Sequence, residues 1–270
     1  MADFSRLARF DPATPSEARI YDYLLGGKDN FAADRELARA VLDIAPELPL
    51  MCREGRRCVE RVVTFLAMTG ITQFIDLGCG LPTPRRNVHD FARKIVPDAR
   101  VAYVDIDPMV IVHGRALLED GGPTAMVKAD AREPDLVLDD PRLRQTIDLD
   151  RPVAVLMMSL LTSVQDDDIA ARIPAHFRKA VVPGSFIAIT HAVSDVRPNV
   201  TARLMALLGG PDQERDNGQL RTRAEVERYF EGMDMVRPGL VYLPEWRPAP
   251  GIQRSRPESV WAVCGVGRRT

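Results

Sequence analysis

The sequence has few cysteines, and none of them is arranged for metal binding or for a disulfide framework. Cys52, Cys58, Cys79 and Cys264 form no CxxC pair and show no spacing typical of zinc sites. This pattern suits a reducing compartment better than a disulfide-stabilised secreted protein. We therefore predict no metal site, and we interpret the acidic run at residues 166–168 as the start of a helix, where acidic side chains are favoured.

Long apolar runs and a secretory signal are also missing. The first residues, MADFSRLARFDP, lack the apolar core of a signal peptide. The longest apolar stretch, residues 153–161, is interrupted by Ser159 and is too short to span a bilayer. We therefore expect a cytoplasmic protein with no membrane partner.

An excess of positive charge is the third missing feature. The chain has 36 Lys and Arg residues against 38 Asp and Glu residues, which gives a formal net charge of −2. Such a balance supplies no basic field for a nucleic-acid backbone. We expect a small molecule, and no nucleic acid, as the main partner.

What is present is the composition of an ordinary globular domain. The 270 residues are 46% hydrophobic and 27% charged, which suits one large domain. Residues 1–70 predict a helical N-terminal cap, with helices over residues 16–25, 30–45 and 51–68. Residues 71–270 are predicted to complete the same structural domain.

After Gly70, short β-branched runs alternate with amphipathic stretches. Strands are predicted at residues 73–77, 101–105, 125–128, 153–158 and 185–190, with helices near 86–95, 108–118 and 167–181. This alternation is typical of a parallel sheet covered on both faces. A helix at 222–231 precedes two further strands, 235–243 and 259–267, which must pair antiparallel because no crossover helix separates them. The predicted fold is a doubly wound α/β sheet of seven strands, five parallel and a C-terminal antiparallel pair.

A glycine turn follows the first predicted strand, in Asp76-Leu77-Gly78-Cys79-Gly80. Glycine lets the backbone approach a ligand closely, and ligands of open α/β sheets bind beyond the carboxyl ends of the strands. Acids end the next two strands: Asp105 can accept ribose hydroxyls, and Asp130 can reach an adenine amino group. Together these features predict an adenosine site. Its predicted members are Asp76, Gly78, Cys79, Gly80, Asp105, Ile106, Asp130 and Ala131.

The loop after Gly80 separates two adenosine-containing cofactors. A dinucleotide fingerprint requires a third glycine, but that position is Thr83, and Pro82 and Pro84 remove backbone N–H donors that a pyrophosphate would use. S-adenosylmethionine has no phosphate and tolerates such a loop. The sequence therefore favours S-adenosylmethionine, and an NAD(P)-dependent oxidoreductase is the weaker alternative.

Several segments match the signatures of one protein family. They are ARIYDYLLGGKDNF at residues 18–31, residues 76–83, residues 103–108, residues 183–185 and residues 246–248. In these segments the chain resembles the bacterial S-adenosylmethionine-dependent methyltransferase family that was formerly catalogued as a domain of unknown function. The resemblance covers essentially the whole chain. It implies the Rossmann-like class I methyltransferase fold, the S-adenosylmethionine cofactor, and methyl transfer to an acceptor that is largely unassigned in the family.

One departure from the family concerns the methyl acceptor. The family tends to carry a histidine after the fourth strand, where this chain has Thr162. A protein that binds the cofactor without turnover is therefore an alternative to an active methyltransferase. Thr162 and His191, which directly follows the predicted fifth strand, are the candidate catalytic residues, since a histidine pKa suits base catalysis. The alternative for His191 is a strand-end histidine held by hydrogen bonds.

The first predicted helix carries Arg19, Tyr21 and Tyr23 on neighbouring turns. The arginine could pair with the methionine carboxylate of the cofactor, and a tyrosine ring could face its sulfonium. The alternative is a helix that packs its apolar side into the core and leaves Arg19 in solvent. The sequence therefore predicts an S-adenosylmethionine-dependent methyltransferase acting on a small-molecule acceptor, with the role of this helix open.

Overall fold

The computed structural model describes residues 10–119, 122–208, 220–251 and 255–270. Its central sheet has five parallel strands followed by three C-terminal strands that pair in antiparallel fashion. The parallel strands are β1 (Gln73–Leu77), β2 (Arg100–Asp105), β3 (Thr124–Lys128), β4 (Ala154–Met158) and β5 (Phe186–Ala192). The antiparallel strands are β6 (Asp234–Met235), β7 (Val241–Tyr242) and β8 (Ala262–Arg268). Their order is β3-β2-β1-β4-β5-β8-β6, and β7 also pairs with β8.

The predicted arrangement of five parallel strands and an antiparallel end is confirmed, with one difference. The sixth strand is divided, because β6 and β7 lie one after the other along β8. Pro238 between them has no N–H for the strand ladder, and Gly239 turns the chain with a φ of 90°. The interruption therefore has a local cause that leaves the strand order unchanged.

The strand order reverses between β1 and β4, and this reversal positions the site. Phe74 in β1 pairs with Val101 in β2 on one side and with Ala154 in β4 on the other. The chain leaves these neighbouring strand ends in opposite directions, which opens a crevice beyond their carboxyl ends.

Ten α-helices surround the sheet within the described segments. They are α1 (Glu17–Leu24), α2 (Ala32–Ile44), α3 (Leu48–Met68), α4 (Val88–Ala92), α5 (Pro108–Leu117), α6 (Pro134–Leu138), α7 (Pro141–Thr146), α8 (Asp167–Ala180), α9 (Pro198–Leu208) and α10 (Arg223–Glu227). Among the described helices, none combines the length and the apolar composition that a membrane span needs. The predicted set lacks α6, α7 and α9, of which the first two are too short to show an amphipathic period.

The three N-terminal helices occur close to their predicted bounds, although residues 1–9 of the predicted cap lie outside the described residues. Helix α3 packs on one face of the sheet, where Val62 and Leu66 join the same buried cluster as Phe74. Helices α1, α2 and α9 form a further buried cluster around Trp261, beside the end of β5. The cap is thereby continuous with the core, and the boundary at residue 70 stays a prediction.

Candidate functional site

A cleft of about 740 Å³ opens at the carboxyl ends of the parallel strands. Strand-end loops, the segment after β4, and helices α1 and α3 all contribute to its lining. Nine of the eleven predicted cofactor residues line it together. They are Asp76, Gly78, Cys79, Gly80, Asp105, Ile106, Asp130, Ala131 and Tyr21.

The glycine turn lies against the segment that follows β4. Gly78 and Gly80 adopt φ values of 66° and 67°, which side chains disfavour. A Cβ atom added to Gly78 would lie 2.8 Å from Cδ1 of Leu160. Glycine is favoured at this position because its φ is positive and because a Cβ atom would crowd the side chain of Leu160. Gly78 and Gly80 thus leave backbone exposed on the floor of the cleft on either side of Cys79.

Two acids lie beside this turn, and burial affects both. Gly80 N–H donates to Asp105 at 2.9 Å and Asp107 N–H donates at 3.0 Å, which orients the Asp105 carboxylate. Burial nevertheless raises the pKa of Asp105. Burial also raises the pKa of Asp76 to about 7; the charge of Arg56 opposes this rise, and the charge of Asp105 adds to it. Acids held in this way favour a ligand that brings hydroxyl donors or positive charge.

The third predicted acid, Asp130, is engaged by a residue that the sequence analysis did not identify. Arg132 donates from Nε to both carboxylate oxygens, at 3.0 and 2.9 Å, and from Nη2 at 2.6 Å. Burial alone would raise the pKa of Asp130, but the hydrogen bonds and charge of Arg132 outweigh it and lower that pKa. Asp130 therefore lines the cleft as half of an ion pair.

Arg56 is the second residue that the sequence analysis missed. It lies on α3 between Gly55 and Val59 in the cleft lining. Its Nη2 donates to the carbonyl of Arg86, whereas its Nε is buried and has no hydrogen-bond partner within the described part of the chain. A buried donor without a partner is costly unless a ligand satisfies it. A carboxylate is the natural ligand for such a guanidinium.

Arg19, which was predicted to hold the cofactor, does not line the cleft. It is only 3% exposed, and its Nε donates to Asp34 at 2.9 Å. Asp34 is fully buried and also accepts the N–H groups of Ser16 at 2.9 Å and Phe31 at 2.8 Å. Arg19 thus joins α1 to α2 because Asp34, fifteen positions away, lies on the helix that packs against it. Tyr23 is half-buried outside the lining.

The start of α1 forms a roof over the cleft. The Ser16 hydroxyl donates to Asp107, which follows β2, and the Ser163 hydroxyl, which follows β4, donates to Glu17. One turn further along α1, the Tyr21 hydroxyl donates to the carbonyl of Cys52 at 3.1 Å, and burial raises the pKa of this tyrosine. The roof therefore connects opposite sides of the cleft.

The two predicted catalytic residues have different locations. Thr162 lines the cleft, and its hydroxyl accepts the N–H of Ala192 at 3.3 Å. His191 is fully buried and does not line the cleft. Its Nδ1 is hydrogen-bonded to the carbonyl of Ala192, and its Nε2 lies 3.4 Å from Nη1 of Arg221. Successive residues of a strand face opposite sides, so the residue of β5 that reaches the cleft is Thr190. The predicted base is therefore one position away from the residue that faces the cleft.

The site fits an adenosine-containing cofactor without phosphates. The glycine turn, the strand-end acids and the unpartnered Arg56 Nε are each suited to one part of such a molecule. In the loop after Gly80, the N–H of Thr83 already donates to Asn87 at 2.9 Å, and the flanking prolines have none. Within the described segments, no group of three or more His, Cys, Asp or Glu residues is placed to hold a metal. Asp166 instead caps α8 by accepting the N–H of Ile169 at 2.9 Å.

Comparisons with known proteins agree with this chemistry. A family model described as S-adenosyl methyltransferase matches residues 5–270. The structure is similar to that of a candidate methyltransferase from Thermobifida fusca, with 40% identity, a TM-score of 0.86 and 96% of each chain covered. It is also similar to a DUF574 family protein from Streptomyces avermitilis, with 37% identity, a TM-score of 0.89, and 97% of this chain and 100% of that chain covered. No curated protein sequence matches the chain.

Proposed function

The chain belongs to the S-adenosyl methyltransferase family, and from this membership we propose that it methylates a small-molecule acceptor. The observation that carries the proposal is the roofed cleft of about 740 Å³ beyond the strand ends. Sites for small molecules typically have volumes of about 300–1,000 Å³. This volume suits the cofactor together with a small acceptor, and the net charge of −2 offers nothing to a nucleic-acid backbone.

For the adenosine half of the cofactor, we propose the strand-end residues as ligands. Asp105 accepts the ribose hydroxyls, because its carboxylate is already oriented by the N–H groups of Gly80 and Asp107. Ile106 and Ala131 supply apolar contacts to the adenine, and Asp130 lies close enough in the lining to meet its amino group. The ion pair with Arg132 keeps Asp130 ionised and fixed.

For the methionine half, we propose Arg56 in place of Arg19. The unpartnered Nε of Arg56 supports a contact with the methionine carboxylate. Asp76 is suited to the ammonium group, since a neighbouring positive charge would favour its ionised form. Tyr21 and Cys79 complete this end of the lining. Arg19 and Tyr23 act on the site only by shaping the cap.

The chain contributes mainly positioning and exclusion of water. When bound, S-adenosylmethionine supplies a methyl group that its sulfonium has already activated. The roof formed by Ser16 and Glu17 would limit water above this group, and limiting water favours a displacement between oriented partners. Thr162 remains a candidate for contact with the acceptor, whereas the buried His191 is not proposed as a base.

Ligand binding tests the cofactor assignment. We expect S-adenosylmethionine and S-adenosylhomocysteine to raise the melting temperature of the purified chain, and NAD to leave it unchanged, because a ligand stabilises the state that it binds. In Asp105→Ala, two hydrogen bonds to a charged group disappear, so affinity should fall by about a hundred-fold. Asp139→Ala, at an exposed surface site, is the matched control. Stabilisation by NAD alone would refute the proposal.

Transfer of label tests the acceptor class. The chain would be incubated with S-adenosylmethionine labelled in the methyl group and with a bacterial extract, and the products would be separated by size. We expect the label in the low-molecular-mass fraction. Label recovered in protein or nucleic acid would contradict a small-molecule acceptor while leaving methyl transfer intact. No transfer in any fraction, with normal cofactor binding, would favour a binding protein without turnover.

A further inference from the structure

Ser159 holds a disfavoured backbone conformation at the end of β4. Its φ of 69° and ψ of 0° lie in the left-handed region, which L residues other than Asn and Asp rarely occupy. Among the described residues, Arg85 and Arg247 are the other non-glycine residues with positive φ, and neither of them lines the cleft. Strained residues tend to occur where a side chain serves the site. Glycine would adopt this conformation without cost, so the hydroxyl of Ser159 is the group to explain.

The hydroxyl of Ser159 is paired with that of Thr190. Their oxygen atoms lie 3.3 Å apart, and the N–H of Ser159 donates to the carbonyl of Thr190 at 3.1 Å. Both residues line the cleft, although Thr190 is only 3% exposed. A hydroxyl has one hydrogen to donate and two lone pairs. One hydrogen can join the two oxygens, which leaves lone pairs of both available to a ligand.

The pair lies on the side of the glycine turn that the other cofactor contacts leave open. Leu160, the residue after Ser159, borders Gly78. The proposed adenosine contacts are at the ends of β2 and β3, and the proposed methionine contacts are at the end of β1 and on α3. The cofactor sulfur carries three groups: adenosine, the methionine side chain and the methyl group. The side toward β4 and β5 is therefore the one left for the methyl group.

We propose that Ser159 and Thr190 form a hydroxyl pair that contacts the methyl group on the sulfonium and directs it toward the acceptor. This inference rests on the proposed function, because it requires S-adenosylmethionine in the cleft. A sulfonium withdraws electrons from its methyl group, so the C–H bonds become weak hydrogen-bond donors to oxygen. S-adenosylhomocysteine has neither the charge nor the methyl group. The pair therefore favours the methyl donor over the demethylated product.

The ratio of the two affinities separates this role from a structural one. A pair that only stabilises the junction of β4 and β5 would affect S-adenosylmethionine and S-adenosylhomocysteine equally when lost. A pair that contacts the methyl group affects S-adenosylmethionine alone. Titration calorimetry on the full chain with each ligand gives this ratio and needs no knowledge of the acceptor.

Two substitutions at Ser159 remove the hydroxyl, and only one of them also relieves the backbone strain. Ser159→Gly relieves the left-handed conformation, and Ser159→Ala retains it. We expect both to weaken binding of S-adenosylmethionine about two- to five-fold, the size of one weak hydrogen bond, and to leave S-adenosylhomocysteine binding unchanged. Because the glycine variant should melt at or above the wild-type temperature, a failure to fold cannot explain its loss of affinity.

Substitutions at Thr190 provide the matched pair. Thr190→Val has nearly the same shape without the hydroxyl. Like Ser159→Gly, it should lower the affinity for S-adenosylmethionine relative to that for S-adenosylhomocysteine. Thr190→Ser keeps the hydroxyl and should retain the wild-type ratio of the two affinities. The double variant Ser159→Gly with Thr190→Val should weaken S-adenosylmethionine about five- to thirty-fold.

If folded variants lost affinity for both ligands equally, the proposed contact between the hydroxyl pair and the methyl group would be refuted. An unchanged S-adenosylmethionine affinity in the double variant would overturn it as well. If the wild-type chain bound neither ligand, the proposed function itself would fail, and this result is distinct from either of the others.

Discussion

The two halves of the cleft hold their groups in different ways. The strand-end half consists of residues 76–80, 105–107 and 130–131, and it is built from backbone turns and from acids oriented by nearby N–H groups, as Asp105 is by Asp107. The cap half consists of residues 16–21 and 55–59, and long-range contacts position it. Ser16 reaches Asp107, 91 positions away, and Glu17 meets Ser163, 146 positions away.

This difference predicts what each half loses on substitution. The strand-end half is in place once the parallel strands pair, so most of its side chains are not needed to dock another element. The cap half exists only when the helices dock, so most of its polar side chains are needed for docking. We therefore expect substitutions in the cap to reduce mainly stability and substitutions at the strand ends to reduce mainly affinity. The predictions below test this division, and two of them concern residues that should break it.

The largest effect is expected for Arg19→Met in the cap. Removing the guanidinium leaves Asp34 fully buried without its charged partner. Breaking a buried pair on one side costs about 3–5 kcal/mol. Urea unfolding should show this loss in the free energy of unfolding, whereas the folded variant should bind S-adenosylhomocysteine with nearly normal affinity.

Two controls accompany this prediction. Arg39→Met removes an exposed arginine from α2 and should leave stability within about 0.5 kcal/mol of wild type. Adding Asp34→Asn to Arg19→Met removes the unpaired charge and should recover part of the loss. A stable Arg19→Met variant with strongly reduced cofactor affinity would return Arg19 to the binding site and contradict the division.

Arg56→Met should break the division, because it lies in the cap half but should cost affinity. Its buried Nε has no partner within the described residues, and its Nη2 donates to the Arg86 carbonyl in a hydrogen bond at the surface, so we expect only a small loss of stability. Loss of a charged hydrogen bond to the methionine carboxylate should weaken S-adenosylmethionine and S-adenosylhomocysteine alike, by about ten- to a hundred-fold. Calorimetry with both ligands measures this loss.

The next residue on α3 provides the matched control. Arg57 is exposed and pairs with Glu54 at 2.6 Å, so Arg57→Met should leave both affinities unchanged. If Arg56→Met and Arg57→Met weakened binding to the same extent, general electrostatic attraction would explain the loss, and the contact with the carboxylate would be refuted.

The fold was largely predictable from the sequence because its main signals are local. Buried parallel strands are short apolar runs, and the predicted 73–77 run coincides with β1. Helices α6 and α7, of five and six residues, were missed because they contain fewer than two turns. The division of the sixth strand was missed because a run that contains Pro238 still has strand-like composition on both sides.

The site was predictable where the sheet alone fixes a residue. The glycine turn and Asp105 are placed by the strand that precedes them, so their order along the chain was sufficient. His191 was predicted at the site because the end of β5 can be placed only to within a residue, and one position exchanges the two faces of the strand. Arg56 was missed because its role depends on how α3 packs. The left-handed conformation of Ser159 has no signal in the sequence.

Asp76→Asn is the second exception to the division, because it lies in the strand-end half but should also change stability. Its expected effect is the smallest. Asp76 belongs to the strand-end half, and burial raises its pKa to about 7. The amide cannot balance the cofactor ammonium, so S-adenosylmethionine should bind more weakly. The unliganded chain should become more stable at neutral pH and above, because a buried carboxylate no longer has to ionise.

The pH dependence of this gain follows from the sign of the shift. The ordinary pKa of 3.8 applies to the unfolded chain, so between pH 3.8 and about 7 the folded protein binds more protons, and wild-type stability falls as pH rises. One pKa unit corresponds to about 1.4 kcal/mol, which gives an upper limit of roughly 4 kcal/mol. Only about two of these pKa units lie above pH 5, so the limit for this range is roughly 3 kcal/mol. Within this limit, we expect the advantage of Asp76→Asn to grow by about 1–2 kcal/mol between pH 5 and pH 8 in urea unfolding. Asp139→Asn, at the surface, should show no such growth, and an equal advantage of Asp76→Asn at both pH values would show that Asp76 is already ionised at pH 5.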